Sequence, residues 1–231
     1  MITIIPYETL GHGDHGWLDA RHHFSFADYY NPDRSGFGVL RVINDDVIKA
    51  GAGFDTHPHR DMEIITYVRK GGITHRDSRG NEGRTVAGDV QVMSAGTGIF
   101  HSEYNLESQD TNIYQIWVEP NKQGITPVWD SHKFPKQPVD DALTLLVSGD
   151  GNAPLRINQD VYFFAGTLAQ DTELFHPITH QVYVLVAEGE IEIDGHKLEK
   201  GDGAEITELA SFNLRAITDA EVLVLDVPVR H

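Results

Sequence analysis

The chain has 231 residues, none of them cysteine, and 18 lysines and arginines against 35 aspartates and glutamates, a formal net charge of -17. The lack of cysteine excludes disulfides, thiolate metal sites and a cysteine nucleophile, and the acidic balance argues against direct nucleic-acid binding. No apolar run approaches the ~20 residues of a membrane span, and MITIIPYETLGHG at the N-terminus has no basic stretch followed by a long apolar one, so a cytoplasmic location is expected.

In chain order, His12, His15, His22 and His23 flank a segment rich in aromatics (Trp17, Phe24, Phe26, Tyr29, Tyr30). A short helical turn is expected within Leu18–Ala27. This segment reads better as a packed arm than as a lid over a flat ligand, because aromatics are mostly core filler. Gly38–Asn44 (GVLRVIN) is a predicted strand, and Asn44-Asp45-Asp46 after it is expected to be a hairpin turn. Met62–Val68 (MEIITYV) and Asn112–Val118 (NIYQIWV) are further strands, β-branched and aromatic. Pro120–Asp141 carries four prolines and few apolar runs, as a linker would. Beyond it come Ala142–Ser148, Gln181–Ala187 and Glu221–Val227, and Glu190–Leu198 reads as a hairpin turning at Asp194-Gly195.

Many short strands between glycine turns predict an all-β sandwich or barrel. The halves are also alike: each runs strand, Gly turn, strand, turn, strand, then Gly-Asp (Gly88-Asp89, Gly201-Asp202). Two copies of one β-module are therefore expected. Residues 1–130 form the N-terminal domain in this reading, 131–141 the linker and 142–231 the C-terminal domain.

Histidine is the composition outlier, with 13, of which eight fall at or before His101. In GAGFDTHPHRDME (Gly51–Glu63), His57 and His59 are two apart, which on a strand aims both rings at one face. In GTGIFHSEYN (Gly96–Asn105), His101 and Glu103 repeat that spacing. Facing one another, the pairs offer three nitrogens and a carboxylate, a donor set for divalent iron, nickel, copper, zinc, manganese or cobalt. Gln115, in the alternation Ile113-Gln115-Trp117, would support a ligand histidine if it points inward. Phe54, Met93, Ile99 and Phe100 are candidates for apolar walls. His176 and His180 are four apart, off the strand period, and read as surface residues. No P-loop, GxGxxG, GxSxG or HExxH pattern occurs.

Gly51-x5-His57-x-His59-x3-Glu63 resembles the first cupin motif. Gly88 through His101-x3-Asn105 resembles the second, longer by two residues. HGWLDARHHFSFADYYNP, GFGVLRVINDD, FDTHPHRDMEIITYV and VMSAGTGIFHSEYN together closely resemble the pirin family of bicupins over residues 11–130, while the second half is similar only in its β pattern. The resemblance implies two cupin-type antiparallel β-barrels with one metal, typically iron, in the first, bound at His57, His59, His101 and Glu103. Glu63 competes for the carboxylate position. On a continuous strand it would lie ~13 Å beyond His59, whereas Glu103 is one strand step from His101, so Glu63 is expected to be a support or surface residue.

The activity implied is that of a quercetin 2,3-dioxygenase. Such an enzyme takes a flavonol and O2, releases CO, and here would use Glu103 as the catalytic base. The other reading is an iron-sensing regulatory protein that acts through a protein partner.

Overall fold

The computed structural model describes residues 1–230 and is built of 22 strands and one three-residue 3-10 turn, Tyr7–Thr9. It divides into two compact units. One comprises Gly11–Pro135 with Pro154–Gln159; the other comprises Met1–Leu10, Lys136–Ala153 and the chain from Asp160 on. These limits differ from a single cut at 131–141, and backbone pairing explains each difference. Ile2–Ile5 adds to the edge of Gly203–Ile206 and so joins the second unit. Val128–His132 pairs with Val90–Ser94, which places 131 and 132 in a strand of the first. Asn121 N–H donates to Asn158 O (2.7 Å), and the Gln159 amide donates to Glu119 O (2.8 Å), tying 154–159 to the first unit.

The first unit has two antiparallel sheets. One runs Val128–His132, Val90–Ser94, Glu63–Lys70, Thr111–Val118, Leu40–Ile48, Leu18–His22, Gly11–Asp14. The other runs Gly53–His59, Ile99–Tyr104, Gly72–Asp77, Glu82–Val86. The second unit repeats both orders: Gly203–Ile206, Gln181–Glu188, Ala220–Val227, Tyr162–Leu168, Thr144–Ser148 in one sheet, and Glu173–Pro177, Ser211–Ala216, Glu190–Ile193, His196–Glu199 in the other. The duplication expected from the sequence is thus a duplication of topology. The Glu190–Ile193 and His196–Glu199 hairpin turns through Asp194 (φ 43°) and Gly195 (φ 84°), the two positive φ angles a tight two-residue loop requires.

Two local expectations are corrected. Leu18–His22 is a strand, not a helical turn: Leu18, Ala20 and His22 alternate inward, and both edges are paired. Asn44-Asp45-Asp46 is not a turn but the middle of the nine-residue strand Leu40–Ile48, hydrogen-bonded on both sides. Asx residues favour turns through their local side-chain bonds. Here the two flanking strands supply backbone partners along the whole segment.

The two barrels are filled differently. In the second, Val184, Ala204 and Val224 belong to an unbroken apolar core with Ile191, Leu198 and Phe212. Cross-strand register puts Thr66, Gln91 and Gln115 at the same places in the first: Thr66 pairs with both Gln115 and Gln91, as Val184 pairs with both Val224 and Ala204. The first barrel's core is accordingly split. Leu18, Ala20, Ile48, Val68, Ile73 and Ile113 form one apolar cluster, and Ile64, Met93, Ala95 and Ile99 another. Thr66 lies between Ile64 and Val68, and Gln115 between Ile113 and Trp117, so a belt of polar side chains crosses the barrel. Among the described residues no helix is long and apolar enough to cross a membrane.

Candidate metal centre

His57 and His59 come from Gly53–His59, and His101 from the neighbouring strand Ile99–Tyr104, where His101 sits directly opposite His57 and Ile99 opposite His59. Beyond His101 the register slips: Glu103 faces Phe54, so the His57 strand carries one extra residue. Such a bulge re-aims side chains, and here it lets Phe54 and His57, three apart, both line one cavity. The strands close tightly at Gly53, where an added Cβ would lie 2.6 Å from Tyr104 Cα and meet the Glu103 carbonyl.

The three imidazoles converge, with ring centroids 4.5–4.9 Å apart and one nitrogen from each lying within 4.8 Å of the others. The outer nitrogens of His57 and His101 are engaged. His57 Nδ1 donates to Asp55 O (2.6 Å). His101 Nδ1 donates to His75 Nδ1 (3.4 Å), and His75 Nε2 donates to Asp77 (2.9 Å). Both Nδ1 protons being committed, the Nε2 lone pairs of His57 and His101 face each other at 3.0 Å. A cation between them would take a lone pair from each. Two nitrogens about 2.1 Å from one ion and at right angles would be about 3.0 Å apart.

Burial, together with the neighbouring imidazoles, pushes His101 down to about 3 and His59 down to about 4. Both are therefore neutral near pH 7, the state that coordinates metal. The donor set fits one divalent transition ion. Among the described residues these three histidines are the one group of potential ligands that meets this spacing.

Glu103, expected as the fourth ligand, does not join this group at ligand spacing; it is buried and lines the same cavity, its carboxylate held by amides: Gln91 Nε2 donates to Oε1 (2.6 Å) and Gln115 Nε2 to Oε2 (2.8 Å), with Thr66 Oγ1 also donating to Oε1 (3.1 Å). The polar belt is thus the cage of Glu103, and Gln115 points inward. Glu63 lies outside the histidine group. Buried rather than on the surface, it accepts from Ser94 Oγ (2.6 Å) and from Asn158 Nδ2 (3.3 Å), and burial raises its pKa.

His75 and Asp77 were missed as site residues, although they show the same two-residue spacing as the others. His75 stacks on Trp129 (4.8 Å, 10°). Asp77 also accepts from Asn81 and from Arg79 N–H. Burial works against its charge, but the bonds from His75, Asn81 and Arg79 outweigh that and lower its pKa.

The cavity above the histidines measures about 770 Å³. Trp17, Leu18, Phe54, Phe26 and Trp117 give it apolar walls, and His15, His22, Asn44, Asp46 and Gln115 also line it. The N-terminal segment is therefore divided between roles: Trp17 and Phe26 face the cavity, Phe24 is core and Tyr30 is exposed. Of the other expected wall residues, Met93 and Ile99 are core and Phe100 is exposed. His176, in the second unit, is buried rather than on the surface, between Phe164 and Phe212.

Two repeated antiparallel barrels, the first with converging histidines on two neighbouring strands, define a bicupin with a candidate metal centre in its first barrel. The Pirin family profile matches residues 5–118, and a profile for the quercetinase C-terminal cupin domain matches residues 145–227. A quercetin 2,3-dioxygenase of Escherichia coli is 44% identical over 235 residues, spanning 99% of each chain. A pirin-like protein of Caulobacter vibrioides is 48% identical, over 98% of this chain and 99% of its own. The crystal structure of the Escherichia coli pirin YhhW in complex with nickel(II) superposes with a TM-score of 0.93 at 44% identity, covering 99% of this chain and all of that one. The chain belongs to the pirin family and is quercetin 2,3-dioxygenase-like.

Proposed function

We propose that this chain is a metal-dependent dioxygenase of quercetin or a related flavonol, with His57, His59, His101 and Glu103 holding one divalent ion, iron in the first instance. The observation that carries this reading is the convergence of three imidazoles at the floor of a largely apolar cavity. The relatives named quercetin 2,3-dioxygenase support the substrate class, and the nickel complex of a pirin supports a divalent ion.

A bound ion supplies Lewis acidity that lowers the pKa of a flavonol 3-hydroxyl and orients the 3-hydroxyl and 4-carbonyl edge. Asp55 O and the His75–Asp77 pair fix the tautomers and aim of His57 and His101. Glu103 accepts the hydroxyl proton, and the amides of Gln91 and Gln115 keep its carboxylate in place while it does so. Trp17, Phe54 and Trp117 flank a flat ring system and exclude water from it. In the overall reaction both atoms of O2 enter the product, the heterocycle opens and one carbon leaves as CO.

The test is metal analysis followed by a quercetin assay on the same sample. One ion per chain, metal-dependent loss of quercetin and one CO per flavonol are expected. Stoichiometrically loaded protein that leaves quercetin intact overturns the reading.

A further inference from the structure

The cavity has a second polar feature, on the strand Leu40–Ile48. Asn44 and Asp46 are two apart and share the inward face; both are buried and both line the cavity. Asn44 is already engaged, because His22 Nδ1 donates to its Oδ1 (2.8 Å). Asp46 differs. Its cross-strand neighbours are Ala20 on one side and Ile113 on the other, neither with a polar side-chain atom. Its Oδ1 has no hydrogen-bond partner in the protein. Lys49, the cation nearest in sequence, pairs with Asp110 at 2.8 Å, and Arg69 pairs with Asp45 at 2.6 Å.

A carboxyl group is thus only 2% exposed, sits among members of an apolar cluster, and is incompletely bonded in a cavity wall. Buried polar groups are ordinarily satisfied, and an exception calls for a reason. Burial, with Asp45 and Glu103 as like-charged neighbours, raises its pKa well above the usual carboxylate range. Protonated or not, its open Oδ1 can accept a hydrogen bond from a ligand hydroxyl.

We propose that Asp46 is a substrate-binding residue whose carboxyl group takes a phenolic hydroxyl on the flavonol ring remote from the chelating edge. This rests on the flavonol reading above. Asn44 pairs with Gln115, which holds Glu103. Asp46 lies two residues farther along the strand, roughly 7 Å at 3.4 Å per residue, so it meets a part of the ligand other than the one at the histidines. Of the hydroxyls not bonded to the 4-carbonyl, the 7-hydroxyl is fixed on the rigid fused rings, whereas the B ring turns about a single bond and can bring its hydroxyls to a fixed carboxyl group; the B ring is the part addressed.

The experiment is equilibrium binding to metal-loaded protein with oxygen excluded, so that no turnover intervenes. The probes are quercetin, kaempferol and galangin, which share the A and C rings and carry two, one and no B-ring hydroxyls. Wild type is expected to bind in that order, with roughly a tenfold span, the worth of one good hydrogen bond. Asp46→Leu should bring quercetin to the affinity of galangin, leave galangin unchanged and raise the thermal unfolding midpoint, because an apolar group replaces an unpaired buried acid. Asp46→Asn, which can still donate and accept, should keep the preference, and Asp46→Ala serves in place of Asp46→Leu if that variant does not fold. Equal binding of all three flavonols by wild type, or a preference that survives Asp46→Leu and Asp46→Ala, overturns the inference and leaves the flavonol reading standing. Failure of wild type to bind any of the three overturns both.

Discussion

Replacing His75 isolates the hydrogen-bond chain behind the metal centre from the ligands themselves. His75 links His101 to Asp77 through bonds of 3.4 and 2.9 Å. It reaches no ligand nitrogen that faces the proposed ion. His75→Phe removes both bonds and keeps a ring to stack on Trp129. It does not orphan Asp77, which retains Asn81 and the Arg79 N–H. Without His75, the His101 ring loses the partner that fixes its tautomer and aim. Removing such a support typically weakens metal binding 10- to 100-fold, which is about 1.4–2.8 kcal/mol. Competition between the metal-free protein and a chromophoric chelator measures the affinity. Urea unfolding of the metal-free variant separately reports whether the barrel has suffered from the slightly larger ring. A folded His75→Phe protein whose metal affinity lies within twofold of wild type refutes the reasoning.

Three further outcomes are expected. His57→Ala, His59→Ala and His101→Ala should each lose most of the metal, whereas Glu103→Gln should keep part of it and lose more turnover per bound ion than occupancy; Glu63→Gln should change neither, and metal content with quercetin turnover in all five variants checks the set. Gly53→Ala should destabilise the protein by about 1–3 kcal/mol in denaturant unfolding, because its Cβ would press on Tyr104 Cα and part the two ligand strands. Burial holds His176 down at about 4 from an ordinary 6.5, so as pH falls through 6.5 the unfolded chain takes up the proton first; about 3 kcal/mol of stability present above pH 6.5 should be lost by pH 4, and His176→Leu should remove that share of the pH dependence of urea midpoints across the window, the contributions of His59 and His101 remaining.

What the sequence determined by itself was whatever is encoded by local period. Alternation and glycine turns marked the strands, and the Gly-Asp turns marked the repeat. The two-residue spacing of His57 with His59 and of His101 with Glu103 put each pair on one strand face, which needs no tertiary information. The same spacing was present in His75 and Asp77, but it could not show that His75 would stand behind His101, because that depends on which strands are neighbours. Partnership across strands was decided in three dimensions. Glu103 found Gln91, Thr66 and Gln115 on three strands of the opposite sheet. Asn44-Asp45-Asp46 read as a turn because Asx side chains favour turns, until two flanking strands supplied its backbone bonds. The first ten residues joined the second unit through an edge-strand pairing that leaves no local trace. Glu63 could by its sequence be a support or a surface residue, and only the folded chain shows it buried against Ser94 and Asn158. A side chain's face follows from its neighbours in sequence, but its partners follow from the order of strands in the sheet, and only the folded chain sets that order.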